Sequence, residues 1–188
     1  MADFIAIDFE TATESPQSAI SVGLVRYRGL RAISSYYSLV RPPKLYVRED
    51  FADLHGLTVD DVRDAPDFAH VWENGAKNFI GSTLLVAHRA AFDMRVLKSV
   101  LGFHGLPVPG LRYFCTHGLA RRAWPGLESY ALASLARKFG IVYEAHNALD
   151  DAMTCGKLVA MSAERFPGHE GVEALLEAAG VEVKSLRP

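Results

Sequence analysis

The sequence predicts a mixed α/β fold: a five-stranded sheet, three antiparallel strands followed by parallel ones, flanked by helices. The first observation is a run of three apolar, β-branched or aromatic stretches separated by turn residues, which is typical of an antiparallel meander. The second is the change of pattern after Pro42-Pro43, where strand-like and helix-like segments alternate. The predicted strands are residues 4–10, 19–28, 32–40, 83–87 and 112–115.

The helices are assigned from helical spacing of apolar residues and from end signals. Pro42 and Pro43 end the third strand, because proline cannot continue a ladder of hydrogen bonds. Gly140 marks the end of a later helix. The predicted helices are 50–54, 58–62, 67–80, 90–103, 116–122, 129–139, 147–164 and 172–179.

Length and composition favour one globular domain. The chain has 188 residues, of which 49% are hydrophobic, and a formal net charge of -2, which excludes a disordered or fibrous protein. This balance also argues against a broad basic surface that coats duplex DNA, so any contact with nucleic acid should be local. We assign residues 1–167 to the main domain and 168–188 to a short helix and tail, packed on it or flexible.

Several classes of protein are excluded by what the sequence lacks. No apolar run reaches the roughly 18 residues that a membrane span needs, and the first residues do not follow the pattern of a secretory signal. Cys115 and Cys155 are far apart and form no CxxC pair, so neither a disulfide framework nor a thiolate zinc site is indicated. We therefore expect a cytoplasmic protein without a membrane partner.

Two carboxylates share one face of the first strand. Asp8 and Glu10 are two residues apart, so their side chains project together, while Ile7 and Phe9 project to the opposite face. Like charges this close repel each other unless a cation or a proton lies between them. About 0.6 such D-x-E matches are expected by chance in this composition, so the pair alone is weak evidence.

Asp93 stands on an apolar helical stripe. Val96, Leu97 and Val100 follow it at helical spacing, which predicts that the carboxylate faces the sheet. A carboxylate in that position is costly unless it is paired or binds a metal. The alternative is an ordinary first-turn acid that caps the helix.

His146 and Asp151 introduce the last long helix. Asp151 lies on the same side as Cys155 and is predicted to lean toward the core, whereas Asp150 points elsewhere, nearer Lys157. The H-x4-D spacing is weak evidence, because it occurs twice elsewhere in the chain.

The set of acids is more informative than any one of them. Four carboxylates at one site would repel strongly, and bound divalent cations would relieve the repulsion. Oxygen ligands favour Mg²⁺ or Mn²⁺ over zinc, and two such ions about 4 Å apart suit in-line attack on a phosphodiester. A zinc hydrolase using His88, His117 and His146 is a rival, but these residues form no H-x3-H helical pair.

These residues resemble the DEDDh family of 3′–5′ exonucleases, of the polymerase III epsilon-subunit type, in the ribonuclease H-like superfamily. The first motif runs from Ile7 to Thr11 and the second from Val86 to Leu97. In the third, His146 to Ala152, the family pattern H-x-A-x-x-D-A selects Asp151 over Asp150. Supporting matches lie at 54–58, 115–116 and 129–135, and the resemblance spans residues 3–164.

The resemblance implies a ribonuclease H-like fold and an enzyme that releases nucleoside 5′-monophosphates from the 3′ end of DNA. It implies two-metal-ion hydrolysis with Mg²⁺ or Mn²⁺ and His146 as the general base. The implied metal ligands are Asp8, Glu10, Asp93 and Asp151.

The resemblance also implies contacts to the substrate. The positions are Phe9, Thr11, His55, Leu57 and Phe92. Simple core packing is the alternative for Phe9 and Leu57. Arg89 stands where the family often has Asn, and both a contact to a substrate phosphate and a solvated side chain stay open for it.

Three readings of function remain. The first is an exonuclease that acts on single-stranded DNA or 3′ ends of DNA. The second is an oligoribonuclease-like or ribonuclease T-like enzyme that acts on short RNA, and the third is a non-catalytic proofreading or docking domain. The short tail after Glu164 lacks a long docking extension, which favours a free-standing enzyme, with a polymerase partner left open.

Overall fold

A computed structural model describes residues 4–168 and 171–187 and confirms the mixed α/β fold. The strands are β1 (Phe4–Thr11), β2 (Ala19–Arg28), β3 (Arg31–Leu39), β4 (Leu84–Ala87), β5 (Leu111–Cys115) and β6 (Lys184–Leu186). They form one sheet in the order β3-β2-β1-β4-β5-β6. The pairs β1–β4 and β4–β5 are parallel, and the other three neighbouring pairs are antiparallel.

The helices follow the predicted positions closely. They are α1 (Glu49–His55), α2 (Val59–Val62), α3 (Phe68–Val71), α4 (Lys77–Ile80), α5 (Ala91–Phe103), α6 (Thr116–Ala123), α7 (Leu132–Phe139), α8 (Ala148–Ala163) and α9 (Gly171–Ala179). No described helix combines the length and the apolar character needed to cross a bilayer.

Three features differ from the sequence prediction. The expected helix 67–80 is divided by a π-helical turn, Trp72–Ala76, in which the lack of a side chain on Gly75 lets the ring of Tyr36 pack closely. The expected helix 129–139 begins later, at Leu132. The sheet has a sixth strand, β6, which pairs antiparallel with β5 and is too short to show a periodic pattern.

The central strand β1 is covered on both faces, which explains its nearly continuous burial. Ile5, Ile7 and Phe9 pack in one cluster with α3, the π-helical turn and α5. Phe4 and Ala6 pack in a second cluster with α8 and α9. Successive apolar side chains of β1 therefore point alternately into two different core clusters.

The end of β1 extends beyond its parallel neighbour. Pairing between β1 and β4 covers Phe4 to Ala6, and β4 ends at Ala87, whereas β1 continues to Thr11. On the other side, β2 runs alongside, with Gly23 opposite Asp8. This leaves room at the carboxyl edge of the sheet beside the two predicted acids.

Candidate active site

Four acidic side chains from three elements meet at the carboxyl edge of the sheet. Asp8 and Glu10 come from β1, Asp93 from the first turn of α5 and Asp151 from the first turn of α8. Asp93 is 1% exposed, Asp151 8% and Glu10 9%. Within the described residues, both oxygens of Asp93 and Oδ1 of Asp151 are buried without a hydrogen bond. Such groups are costly without a partner.

Burial and mutual repulsion raise the pKa values of these carboxyl groups. Burial raises the pKa of Asp8 well above its ordinary value, and the charges of Asp93, Asp151 and Glu10 add to the effect. Burial, followed by the charges of Asp151 and Asp93, raises the pKa of Glu10 to about 8. Burial also raises the pKa of Asp151 to about 7. At neutral pH full ionisation of these carboxyl groups is therefore unfavourable unless a cation offsets their charge.

Asp93 does not cap its helix. The cap residue of α5 is Ala90, which makes no side-chain hydrogen bond. Burial raises the pKa of Asp93 well above its ordinary value, and the nearby backbone N–H groups of Asp93 and Phe9 lower that pKa only in part. Neither oxygen of the Asp93 carboxylate has a hydrogen bond within the described residues. The predicted core-facing orientation is confirmed, and simple capping does not account for this residue.

The start of α8 is fixed by local hydrogen bonds that aim Asp151 at the site. The Asn147 side chain caps the helix by accepting from the backbone N–H groups of Leu149 and Asp150 at 3.1 and 3.3 Å. His146 adopts a left-handed backbone, with φ 63°, and its N–H donates to Oδ2 of Asp151 at 3.3 Å. The turn thus presents His146 and Asp151 together.

Asp150 points away from the site, as predicted, and forms no ion pair with Lys157 in the described part of the chain. Its Oδ2 accepts from the backbone N–H of Glu144 at 2.8 Å. This hydrogen bond ties the loop before α8 to the first turn of the helix. The spacing of residues along one helix cannot predict a contact to a loop outside it.

The residues fit a divalent cation. One ligand atom each from Glu10, His146 and Asp151 lie within 4.8 Å of one another. The buried Asp93 carboxylate is not one of these three; it has no hydrogen bond among the described residues, and it lies close enough for its charge to raise the pKa of Glu10. A cation would supply the missing partner for these oxygens, and a set dominated by carboxylates suits hard ions. The imidazole of His146 is exposed at the rim of the group.

A cavity of about 410 Å³ opens onto the acids. Phe9, Thr11 and Phe92, three of the five predicted substrate positions, line it. His55 and Leu57 do not belong to this lining. The other lining residues are Asp8, Glu10, Glu14, Phe51, Leu54, Arg95, His146 and Asp151.

His55, Leu57 and Phe9 also make structural contacts. Nδ1 of His55 accepts from the backbone N–H of Leu57 at 3.1 Å, which closes the turn after α1. Leu57 packs on a small core cluster with Ala12 and Val62. The Phe9 side chain is buried, with its ring 6.0 Å from that of Phe68. Contacts from these residues to substrate stay a prediction.

Sequence reasoning missed Phe51, Leu54, Arg95 and Tyr143. Leu54 is 51% exposed and follows the half-buried Phe51 at helical spacing, so an apolar pair on a short polar helix was the available signal. Burial, with the charges of Asp151 and Asp8, raises the pKa of Tyr143 to about 12. This tyrosine lies in an irregular loop, where no periodic pattern marks its position.

The rival zinc site does not form among the described residues. Nδ1 of His88 pairs with Oγ1 of Thr116 and its Nε2 with the backbone carbonyl of Tyr130, both at 2.9 Å. Burial lowers the pKa of His88 to about 4, in keeping with a neutral, structural imidazole. His117 packs edge-on against His88, apart from the group that contains His146.

Comparison with known proteins agrees with this geometry. The exonuclease family model of the RNase T type matches residues 5–159. The chain is 30% identical over 160 residues to the DNA polymerase III subunit epsilon of Treponema pallidum, covering 82% of this chain and 74% of that protein. It is 27% identical to the 3′–5′ exonuclease DinG of Staphylococcus aureus, covering 88% of this chain and 19% of that protein.

Solved structures extend the comparison. Exonuclease X in complex with 5′ overhanging duplex DNA superposes with a TM-score of 0.70 at 25% identity, covering 96% of this chain and 100% of that one. The nuclease domain of 3′hExo, a DEDDh family member bound to rAMP, gives 0.74 at 18% identity, with 97% and 96% covered. The chain thus belongs to the exonuclease family, as a DEDDh-type 3′–5′ exonuclease that acts on nucleic acid.

Proposed function

We propose that this enzyme removes nucleoside 5′-monophosphates one at a time from the 3′ end of DNA, with two Mg²⁺ or Mn²⁺ ions as cofactors. The observation that carries the proposal is the cluster of Asp8, Glu10, Asp93 and Asp151, in which both oxygens of Asp93 and Oδ1 of Asp151 are buried without a hydrogen bond among the described residues. These four carboxylates would hold the ions. Bound ions would supply activation of the attacking water and stabilise charge on the phosphate and the leaving 3′ oxygen.

His146 is proposed as the general base. Its ring is exposed at the rim of the acidic cluster, so it can take a proton from a water molecule beside Glu10 and Asp151 and release it to solvent. The hydrogen bond from its backbone to Asp151 and the cap formed by Asn147 hold the turn in place. These bonds limit the orientations that the imidazole has to search.

The cavity beside the acids is proposed to hold the terminal nucleotide. Leu54 and Phe92 are 51% and 38% exposed, and with Phe51 they form an apolar wall. A base released from its stack gains favourable contacts on such a wall. Arg95 on the same lining offers a cation for a phosphate.

The preference for DNA is proposed from the relatives. Exonuclease X was solved with duplex DNA, and the Treponema relative is named as a subunit of a DNA polymerase. The same relative makes a polymerase the second candidate partner, because the chain spans 74% of it. We further propose that the C-terminal segment belongs to the same domain, because α9 packs in the second core cluster and β6 extends the sheet.

The test is a direct nuclease assay. The protein is incubated with single-stranded, 3′-recessed and mismatched DNA and with short RNA, in Mg²⁺ or Mn²⁺, and the released nucleotides are identified by mass. We expect 5′-monophosphates from DNA, loss of activity with EDTA, and recovery with Mn²⁺. Faster release from short RNA than from every DNA substrate would overturn the DNA assignment.

Two neighbouring variants separate the site from the surface. Asp151→Asn should abolish hydrolysis. Asp150→Asn should retain it, because the amide oxygen can still accept from the Glu144 N–H. Equal activity in the two variants would contradict the proposed metal ligands.

A further inference from the structure

A second cavity, of about 390 Å³, adjoins the active site. Three cations, Arg89, Arg122 and Lys184, line it against one acid, Glu182. Lys184 and Glu182 lie 3.9 Å apart, whereas Arg89 and Arg122 have no ion pair among the described residues. In a chain with a net charge of -2, this is a local excess of positive charge.

The backbone of Arg89 is in an unfavourable conformation. Its φ of 61° lies in the left-handed region, which residues other than glycine and asparagine rarely adopt. The residue is held between the anchored ring of His88 and the first turn of α5, where its carbonyl accepts from the N–H of Phe92 at 3.0 Å. The side chain is exposed, and in the described structure it forms no hydrogen bond or ion pair that could offset the cost of this backbone conformation. Strain of this kind is often retained at functional positions.

The two cavities are separated by one helical turn. Ala91 lines the cationic cavity and Phe92, the next residue, lines the active-site cavity. The floor of the cationic cavity includes Tyr113, Cys115 and Val181. A strand whose 3′ end lies among the acids can therefore continue over the first turn of α5 toward Arg89 and Arg122.

We propose that this cationic cavity binds backbone phosphates of the substrate strand on the 5′ side of the nucleotide being removed. The proposal rests on the exonuclease function proposed above and adds the direction in which the strand leaves the active site. Arg89 and Arg122 are the phosphate contacts, and the apolar floor contacts sugar or base. Guanidinium groups suit this role because their paired N–H donors match phosphate oxygens.

The test compares a long and a minimal substrate. Decathymidylate carries upstream phosphates, whereas the p-nitrophenyl ester of thymidine 5′-monophosphate has a single phosphodiester. Arg89→Asn and Arg122→Ala should each lower the ratio of kcat/KM for the decamer to kcat/KM for the ester by about tenfold. Each should also reduce the slope of log KM against log salt for the decamer by about 0.7. Arg31→Ala, at the far end of the β2–β3 hairpin, is the matched control and should leave the ratio and slope unchanged.

Stability measurements separate binding from a structural role. Asparagine tolerates the left-handed region, so Arg89→Asn should melt at a higher temperature than wild type while binding the decamer more weakly. An unchanged ratio and salt slope in both variants, or a lowered melting temperature with equal losses on both substrates, would overturn the proposal. If wild type cleaved neither substrate with Mn²⁺, the proposed function itself would fail, which is a distinguishable result.

Discussion

Replacing Gly23 with alanine should displace the helix that carries Asp151. Gly23 lies on β2 directly opposite Asp8. A Cβ at this position would stand 2.2 Å from the carbonyl oxygen of Ala148 and 2.5 Å from the backbone nitrogen of Leu149. Both atoms belong to the backbone of the first turn of α8, so no side-chain rotation can relieve the clash.

The size of the effect follows from these distances. Ordinary contacts of a Cβ begin near 3.4 Å, so the first turn of α8 must retreat from the sheet by about 1 Å, a misplacement that can cost about 10²-fold in rate. Asp151 lies within that turn and moves with it, while Asp8 and Glu10 stay on β1. Overpacking of this kind costs about 1–3 kcal/mol, which lowers the melting temperature of a chain of this length by about 2–12 °C.

The assay combines melting curves with kinetics on decathymidylate in Mn²⁺. We expect Gly23→Ala to lower kcat more than it raises KM, because much of the cavity that holds the nucleotide is formed by α1 and α5. Gly102→Ala is the control, since an added Cβ there meets no atom within 4 Å. In the helix α5 that substitution should stabilise the protein by about 0.5–1 kcal/mol and leave kcat unchanged.

A wild-type kcat in Gly23→Ala, together with a wild-type melting temperature, would refute this reasoning. It would show that α8 reaches its position without the close contact at Gly23. Loss of stability without loss of kcat would separate helix packing from the placement of Asp151.

Three further predictions concern the acids. In the metal-free folded protein, Glu10 (pKa about 8) and Asp151 (pKa about 7) keep protons that the unfolded chain loses near pH 4. The melting temperature should therefore fall as the pH rises from about 4.5 to 8. Saturating Mg²⁺ should reduce that fall. Asp8→Asn should raise the metal-free melting temperature at pH 8, abolish hydrolysis and weaken stabilisation by Mg²⁺. His146→Ala should lower kcat by about 10²–10⁴-fold in steady-state kinetics on decathymidylate; a wild-type kcat would exclude His146 as the base.

Periodicity predicted the parts of the site that depend on one element. The spacing of Asp8 and Glu10 on a strand determines that they share a face, and helical spacing distinguishes Asp151 from Asp150. The burial of Asp93 followed from the apolar residues after it. These conclusions require only the repeat of the strand or helix and the positions of its apolar residues, and both can be identified in the sequence.

Features that depend on contacts between elements were not predictable in this way. The orientation of α1 decides that Phe51 and Leu54, rather than His55, line the cavity. The strand β6 has three residues and owes its existence to pairing with β5, as at Leu186. In each case the deciding partner is distant in sequence, and local propensity is a weak guide.

The same separation in sequence explains how the proposed cation site is held together. Asp8 and Glu10 are fixed by the sheet, whereas Asp93 and Asp151 are brought in by helices that pack on opposite faces of β1. Packing of the two apolar cores therefore forces like charges together against their repulsion. The free energy gained by burying the apolar side chains offsets the repulsion between the carboxylates and keeps them in an arrangement that they would not adopt by themselves. Variants that loosen either helix, and not just those that remove an acid, should therefore weaken binding of the divalent cation.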